Sequence, residues 1–178
     1  GQAGYQKGNV KCTYGTGAFM LLNTGKDFTL STHGLLSTVA YRHKGELTYA
    51  QEGSAYIAGA AVQWLRDNLK FFPSSPEVEG MARQVKSLEE MEHVLFLPFF
   101  TGIGSPYWLA EAKAAIVGLT RDTSAKHLAR ACLDGIALSI NDLISAMAAD
   151  TGMKLKELRV DGGAVSNNLL MEIQATLS

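Results

Sequence analysis

One run of sequence limits the folds open to this chain more than any other. Across residues 125–149, Leu128, Cys132, Ile136, Ile140, Leu143 and Met147 recur at steps of three and four and share one stripe of a long helix. Thr123 or Ser124 can cap its start and Gly152 its end. Strand patterns surround it. Residues 10–14 alternate, 18–22 are continuously apolar as in a strand buried on both faces, and 35–41 and 47–50 flank the polar turn "RHKGE" as a second hairpin. Residues 93–100 read as a buried strand, 115–119 as a short apolar one, and "ELRVDGG" as a strand entering a glycine turn, with Asn167 or Asn168 near the start of a final helix. Residues 55–69 place Ile57, Ala61, Trp64, Leu65 and Leu69 at helical spacing with Ser54 as N-cap, and Pro76 can open a further helix from its first position. Long helices around one antiparallel or mixed sheet make an α/β domain.

Composition narrows the partners. A length of 178 residues favours one domain, and 47% apolar with 19% charged residues is a globular balance. With 16 basic and 17 acidic residues and no dense Lys/Arg cluster, neither nucleic acid nor an anionic membrane surface is expected as a partner. No sequence run reaches the roughly 18 apolar residues of a membrane span. Cys12 and Cys132, one on a strand and one on a helix, read as buried reduced thiols of a cytoplasmic protein. The four histidines lack zinc-ligand spacing. The opening "GQAGYQKG" and the closing "NNLLMEIQATLS" give the expectation of a domain spanning residues 1–178, truncated at both ends from a longer protein.

Three stretches could carry chemistry. In "YGTG", Gly15 and Gly17 allow a tight turn whose N–H groups can face an anion, and Thr16 adds a hydroxyl; a plain hairpin turn explains the same residues. In "VDGGAVSNN", a strand ends in a double glycine before a helix start, where a flat ring or a ribose could approach Gly163 and Asn167 could bond its edge; an ordinary capped turn is the alternative. In "AGAAVQ", Gly59 costs a helix roughly 1 kcal/mol against Ala, and Gln63 shares its face, toward either a ligand or a close-packed neighbour. Asp161 is placed for a water-mediated role near a metal-bound phosphate, or simply to stabilise the turn. Walker, complete dinucleotide-binding and nucleophile-elbow patterns are all missing from the sequence.

Taken in order, "KCTYGTGAFMLLNTG", "HGLLSTVAYRHKGELTYAQEGSAYIAGAAVQWLRD", "LPFFTGIGSPYW", "AAIVGLTRDTSAKHLARACLDGI" and "LRVDGGAVSNNLLM" resemble the carboxy-terminal domain of the glycerol kinases, within the FGGY carbohydrate kinases. The resemblance covers nearly the whole chain. It implies the actin-like, ribonuclease H-like fold shared by sugar kinases, with a mixed sheet flanked by helices. It also implies ATP-dependent phosphorylation of glycerol with Mg²⁺ by a full-length, homo-oligomeric protein. Residue by residue, Thr16 would contact the nucleotide phosphates within the Gly15–Gly17 loop, and Phe19 would pack on the hydrocarbon side of glycerol. Gly59 and Gln63 would line the nucleotide site, and Gly163 and Asn167 would contact the adenosine.

The chain departs from the family at residues 109–114, where "LAEAKA" replaces the usual Asp-Pro and Ala-Arg-Gly, so that loop is given no ligand contact. The family's catalytic aspartate lies upstream of residue 1, and the residues that grip the glycerol hydroxyls belong to the missing amino-terminal kinase domain. No catalytic residue is therefore assigned here, and the chain alone is expected to be catalytically silent. A kinase for xylulose, ribulose or gluconate, and a non-catalytic nucleotide-binding module, are the alternatives.

Overall fold

The backbone hydrogen bonds of residues 10–25 set the frame. β1 (Val10–Tyr14) and β2 (Ala18–Gly25) pair antiparallel from Val10 opposite Leu22 to Tyr14 opposite Ala18. β3 (Leu36–His43) and β4 (Glu46–Ala55) form the second hairpin, and β4 pairs with β2. β7 (Leu158–Asp161) lies parallel to β1, giving the mixed order β3-β4-β2-β1-β7. The computed structural model describes residues 2–87, 89–91 and 93–178.

α3 (Ala125–Thr151) is the long helix the stripe requires. Cys132, Ile136, Ile140, Leu143 and Met147 are buried and Leu128 is half-buried. They belong to the same core as Val10, Cys12, Tyr14, Met20 and Leu22, the inward residues of β1 and β2. Each Leu or Ile buried this way contributes roughly 1.5–3 kcal/mol, so the stripe and the sheet stabilise one another. Ser124 is the N-cap, its N–H donating to His127 Nδ1 at 3.0 Å, and Gly152 closes the helix in the left-handed region. By length and composition α3 could cross a membrane, but its apolar stripe is the core of this domain. Cys12 and Cys132 are free and buried, and burial pushes the Cys12 thiol up to about 12 and that of Cys132 up as well.

Several boundaries differ from the sequence expectation. The turn between β3 and β4 is only Lys44 and Gly45, both at positive φ, so Arg42, His43 and Glu46 of the expected turn are strand residues. β4 runs on through Ser54 and Ala55, which complete the ladder opposite Phe19 and Ala18. Ser54 is thus a buried strand residue, not a cap, and α1 (Gly59–Asp67) starts after Ala58. α2 (Glu77–Ala82) follows Pro76, which caps it from outside the helix. The expected strand 93–100 contracts to β5 (Leu95–Leu97), paired with β6 (Ala115–Val117). Phe96 alone of β5 points inward, toward Trp64, and Leu95 and Leu97 are exposed. β2 is likewise open on one face, where Phe19 is 46% exposed.

The loop after β5 closes on itself through paired backbone bonds between Ile103 and Leu109, just where the divergent residues 109–114 begin, and Trp108 Nε1 donates to the Gly34 carbonyl at 2.7 Å. The segment carrying Gly34 is anchored in turn by Asp150, near the end of α3. That carboxylate accepts from the Ser31 hydroxyl, the Thr32 N–H and hydroxyl, the His33 ring and Gln51 Nε2. α4 (Asn168–Leu177) packs on α3 and ends the chain.

Candidate functional site

Gly15, Thr16 and Gly17 are the entire connection between β1 and β2. The Gly15 N–H donates to the Gly17 carbonyl at 2.8 Å, closing the turn. The turn then docks on the first turn of α1. The N–H groups of Ala58 and Ala60 donate to the Thr16 carbonyl at 2.8 and 3.1 Å, and that of Gly59 donates to the Gly15 carbonyl at 2.9 Å. Donors that would otherwise be open to an anion at a helix start are therefore engaged by the turn. What the turn presents outward is Thr16, which is exposed. Among the described residues neither its N–H nor its hydroxyl has a protein partner.

Close approach requires glycine here. A Cβ on Gly59 would sit 2.7 Å from the Gly15 carbonyl oxygen, and one on Gly17 2.7 Å from that of Tyr56. Gly59 is the first residue of α1, so the expected penalty of a glycine inside a helix does not arise.

At the end of β7 the two glycines have different tasks. Gly162 has φ 99° and passes so near β1 that a Cβ would meet the Tyr14 carbonyl oxygen at 2.3 Å. Around Gly163 a Cβ would meet nothing within 4 Å. A 3₁₀ turn, Gly163–Ser166, leads into α4, which Asn167 caps: its Oδ1 accepts the Leu170 N–H at 2.9 Å. The Asn167 amide –NH₂ remains as a donor.

These segments enclose a cleft of about 260 Å³. Leu133 and Ile136 of α3 form its apolar floor, Gly59, Val62 and Gln63 line it from α1, and Gly163 and Asn167 line it from the β7–α4 connection. Ser75, Pro76 and Glu79 line it from the start of α2, and Tyr14 and Gly15 come from the end of β1. An apolar floor with a few polar groups at the walls suits a flat heterocycle carrying a polar substituent. Of the residues singled out in the sequence, Gly15, Gly59, Gln63, Gly163 and Asn167 border this one cleft, and Thr16 and Gly17 complete the turn beside it.

Phe19 and Asp161 are placed elsewhere. Thr13 of β1 is register partner to both, so Phe19, Thr13 and Asp161 form a row across three strands, on the sheet face away from α3. Asp161 Oδ2 accepts from Gln2 Nε2 at 3.1 Å. Hydrogen bonds from Thr13 and Gln2 hold its carboxyl below the usual range. Among the described residues no group of three or more His, Cys, Asp or Glu side chains could hold a metal ion. Asp161 offers a single carboxylate, which fits Mg²⁺ only where phosphates and waters complete the shell.

Two parts of the cleft escaped sequence reasoning. Tyr14 is fully buried, and its hydroxyl donates to Gln174 Oε1 at 2.9 Å, tying β1 to α4 beneath the cleft; burial pushes its phenol pKa up. The alternation of β1 marks Tyr14 as an inward residue, but its partner is too distant in sequence to infer. The α2 side, with Ser75 and Glu79, reads in sequence only as a helix break and restart.

Residues 10–177 match the C-terminal domain of the FGGY family of carbohydrate kinases. The glycerol kinase of Desulforamulus reducens is 51% identical over 177 residues, covering 99% of this chain and 35% of that protein. That of Halalkalibacterium halodurans is 50% identical, with the same coverage. The chain thus spans about a third of the length of the curated relatives it matches. Among solved structures, Plasmodium falciparum glycerol kinase with ADP superposes with a TM-score of 0.89 at 37% identity, over 98% of this chain and 34% of that one. Gluconate kinase from Lactobacillus acidophilus, at 20% identity and a TM-score of 0.83 over 98% of this chain and 34% of that one, shares the fold. The mixed sheet and its helices are therefore those of the sugar kinases, and the chain belongs to the FGGY family of carbohydrate kinases, as its C-terminal domain.

Proposed function

We propose that this chain is the nucleotide-binding part of an ATP:glycerol phosphotransferase, and that the longer protein containing it converts glycerol to glycerol 3-phosphate. The observation that carries the reading is the convergence of three distant segments, through Gly15, Gly59, Gln63, Gly163 and Asn167, on one cleft beside a turn whose Thr16 donors are open. The glycerol kinases at 51% and 50% identity favour glycerol over the substrates of the sugar kinases at about 20%, and the ADP named with the Plasmodium falciparum glycerol kinase favours an adenine nucleotide.

In this reading Gly163 leaves room for the adenosine, and Asn167 donates to it through its amide. Gly59 and Gln63 line the path toward the phosphates, and Thr16 binds phosphate oxygens through its N–H and hydroxyl. Phe19 covers the hydrocarbon side of glycerol. A glycerol hydroxyl oxygen bonds to the γ-phosphorus as the bond to the ADP oxygen breaks, and the hydroxyl proton passes to an aspartate we place in the remainder of the longer protein. Mg²⁺, when bound, neutralises charge on the phosphates, and Asp161 would hold it through water. Closure of the two domains excludes water from the reacting groups. The buried thiols of Cys12 and Cys132 support the cytoplasmic location we propose.

The test is calorimetric titration of the chain with Mg-ADP beside Asn167→Ala. Binding is expected, and weaker in the variant. A folded chain that gives no binding heat overturns the site assignment.

A further inference from the structure

α2 closes one side of the cleft with Glu79, a residue to which the family resemblance gives no role. The Glu79 carboxylate is held in a fixed orientation. Its Oε2 accepts the backbone N–H of Asn168 at 3.0 Å, and its Oε1 accepts from Arg83 Nε at 2.9 Å. Arg83 is itself fixed from outside the cleft by a two-pronged bond to Glu172, at 3.1 and 2.8 Å. The carboxylate therefore lies one peptide unit from Asn167, and both side chains line the cleft.

The two groups have opposite hydrogen-bonding sense. Asn167 has its amide oxygen engaged by the Leu170 N–H and offers only its –NH₂. Glu79 is acceptor-only: its Oε1 is taken by Arg83 Nε and Nη2, both at 2.9 Å, and its Oε2 keeps a second lone pair beyond the Asn168 N–H it accepts. A donor beside an acceptor matches the edge of an aminopurine, where a ring nitrogen accepts next to an exocyclic amine that donates. A 6-oxopurine places a carbonyl at the amine's position, so two acceptors would face each other.

We propose that Glu79 is a base-specificity residue: with Asn167 it selects a nucleobase edge carrying an exocyclic amino group beside a ring-nitrogen acceptor, and rejects the 6-oxo counterpart. The inference rests on the reading of the cleft as a nucleotide site.

The experiment uses the full-length kinase and two ligands, Mg-ADP and Mg-IDP, which differ only in the amine or oxo group on the purine six-membered ring and its attendant proton. The wild type is expected to bind ADP at least ~10-fold more tightly, the order of one mismatched buried hydrogen bond. Glu79→Gln keeps an oxygen for the Asn168 N–H but adds a donor, so the ADP preference should collapse. Glu79→Asp draws the carboxylate back, and the preference should fall there too, which secures the test if the Gln variant does not fold. Glu172→Gln loosens Arg83 from outside the cleft and should leave the preference intact. Equal binding of ADP and IDP by the wild type overturns the base reading alone. Equal loss of preference in Glu172→Gln and the Glu79 variants also overturns it, because Glu79 would then act only by holding α2 against α4. Binding of neither nucleotide overturns the site itself and this inference with it.

Discussion

The N–H of Gly59 donates to the carbonyl of Gly15 at 2.9 Å, and a Cβ added to Gly59 would lie 2.7 Å from that same oxygen. Helix and turn are thus locked at a separation that only glycine permits. Gly59→Ala must push the turn away from α1, at a stability cost of about 1–3 kcal/mol, the usual range for overpacking. Gly163→Ala meets no neighbour within 4 Å and should leave stability unchanged within about 0.5 kcal/mol. Its methyl group instead occupies space bordering the cleft. Urea denaturation beside Mg-ADP titration separates the two: Gly59→Ala loses both stability and binding, Gly163→Ala binding alone.

In the proposed function Asn167 serves two roles through two atoms. Its Oδ1 caps α4 through the Leu170 N–H, and its –NH₂ is the donor proposed for the nucleotide. Asn167→Asp keeps an oxygen acceptor at the cap, so the fold should keep its stability while Mg-ADP affinity falls through loss of the donor. Asn167→Ala removes both functions and should additionally lower stability by about 0.5–2 kcal/mol. Equal affinities for the wild type and the Asp variant would remove the amide from the binding site.

How legible the chain is from its sequence follows the range of the interactions involved. α3 is readable because its stripe is unbroken and both its ends carry local cap residues, Ser124 and Gly152. The start of α1 is not, because Ser54 fits a helix cap and a strand equally well. Only β2 lying alongside, with Phe19 opposite Ser54, decides for the strand. Glycine pairs mark the two backbone turns of the cleft, since tight turns and close approaches leave a local trace. Tyr14 bonded to Gln174, and Glu79 reaching Asn168, join residues far apart in sequence and leave none. Phe19 sits in an apolar run that reads as buried on both faces, although only one face of that run is covered by α3.

Asp150 makes folding stability depend on pH at the acid end. Burial opposes its ionisation, but hydrogen bonds from Ser31, His33 and Thr32 outweigh this and hold the carboxyl at about 2. The unfolded value is about 3.9. A depressed folded-state pKa contributes stability that is fully present above the unfolded value and is lost as pH falls toward the folded one. The contribution should therefore disappear between about pH 4 and pH 2. Chemical denaturation of the wild type and Asp150→Asn across pH 2–6 checks this. The stability gap between them should be widest above pH 4 and should narrow below it; a gap independent of pH would refute the assignment.

Phe19 and the cleft lie on different parts of the sheet, which predicts a clean kinetic separation. Phe19 points away from α3, is 46% exposed, and does not border the cleft that holds Gly163 and Asn167. Its truncation removes little buried surface within this chain, so Phe19→Ala should change the chain's stability by no more than about 0.5 kcal/mol, as for most surface positions. If the longer protein is the glycerol kinase proposed above, the same change in it should raise KM for glycerol while leaving KM for ATP at its wild-type value, because the proposed apolar contact to glycerol is lost and the proposed nucleotide cleft is untouched. Asn167→Ala should show the reverse pattern. Steady-state kinetics with each substrate varied against saturating levels of the other provides the measurement. A rise in KM for ATP in Phe19→Ala would mean that this row of the sheet contributes to nucleotide binding, and would place Phe19 in the wrong half of the reaction.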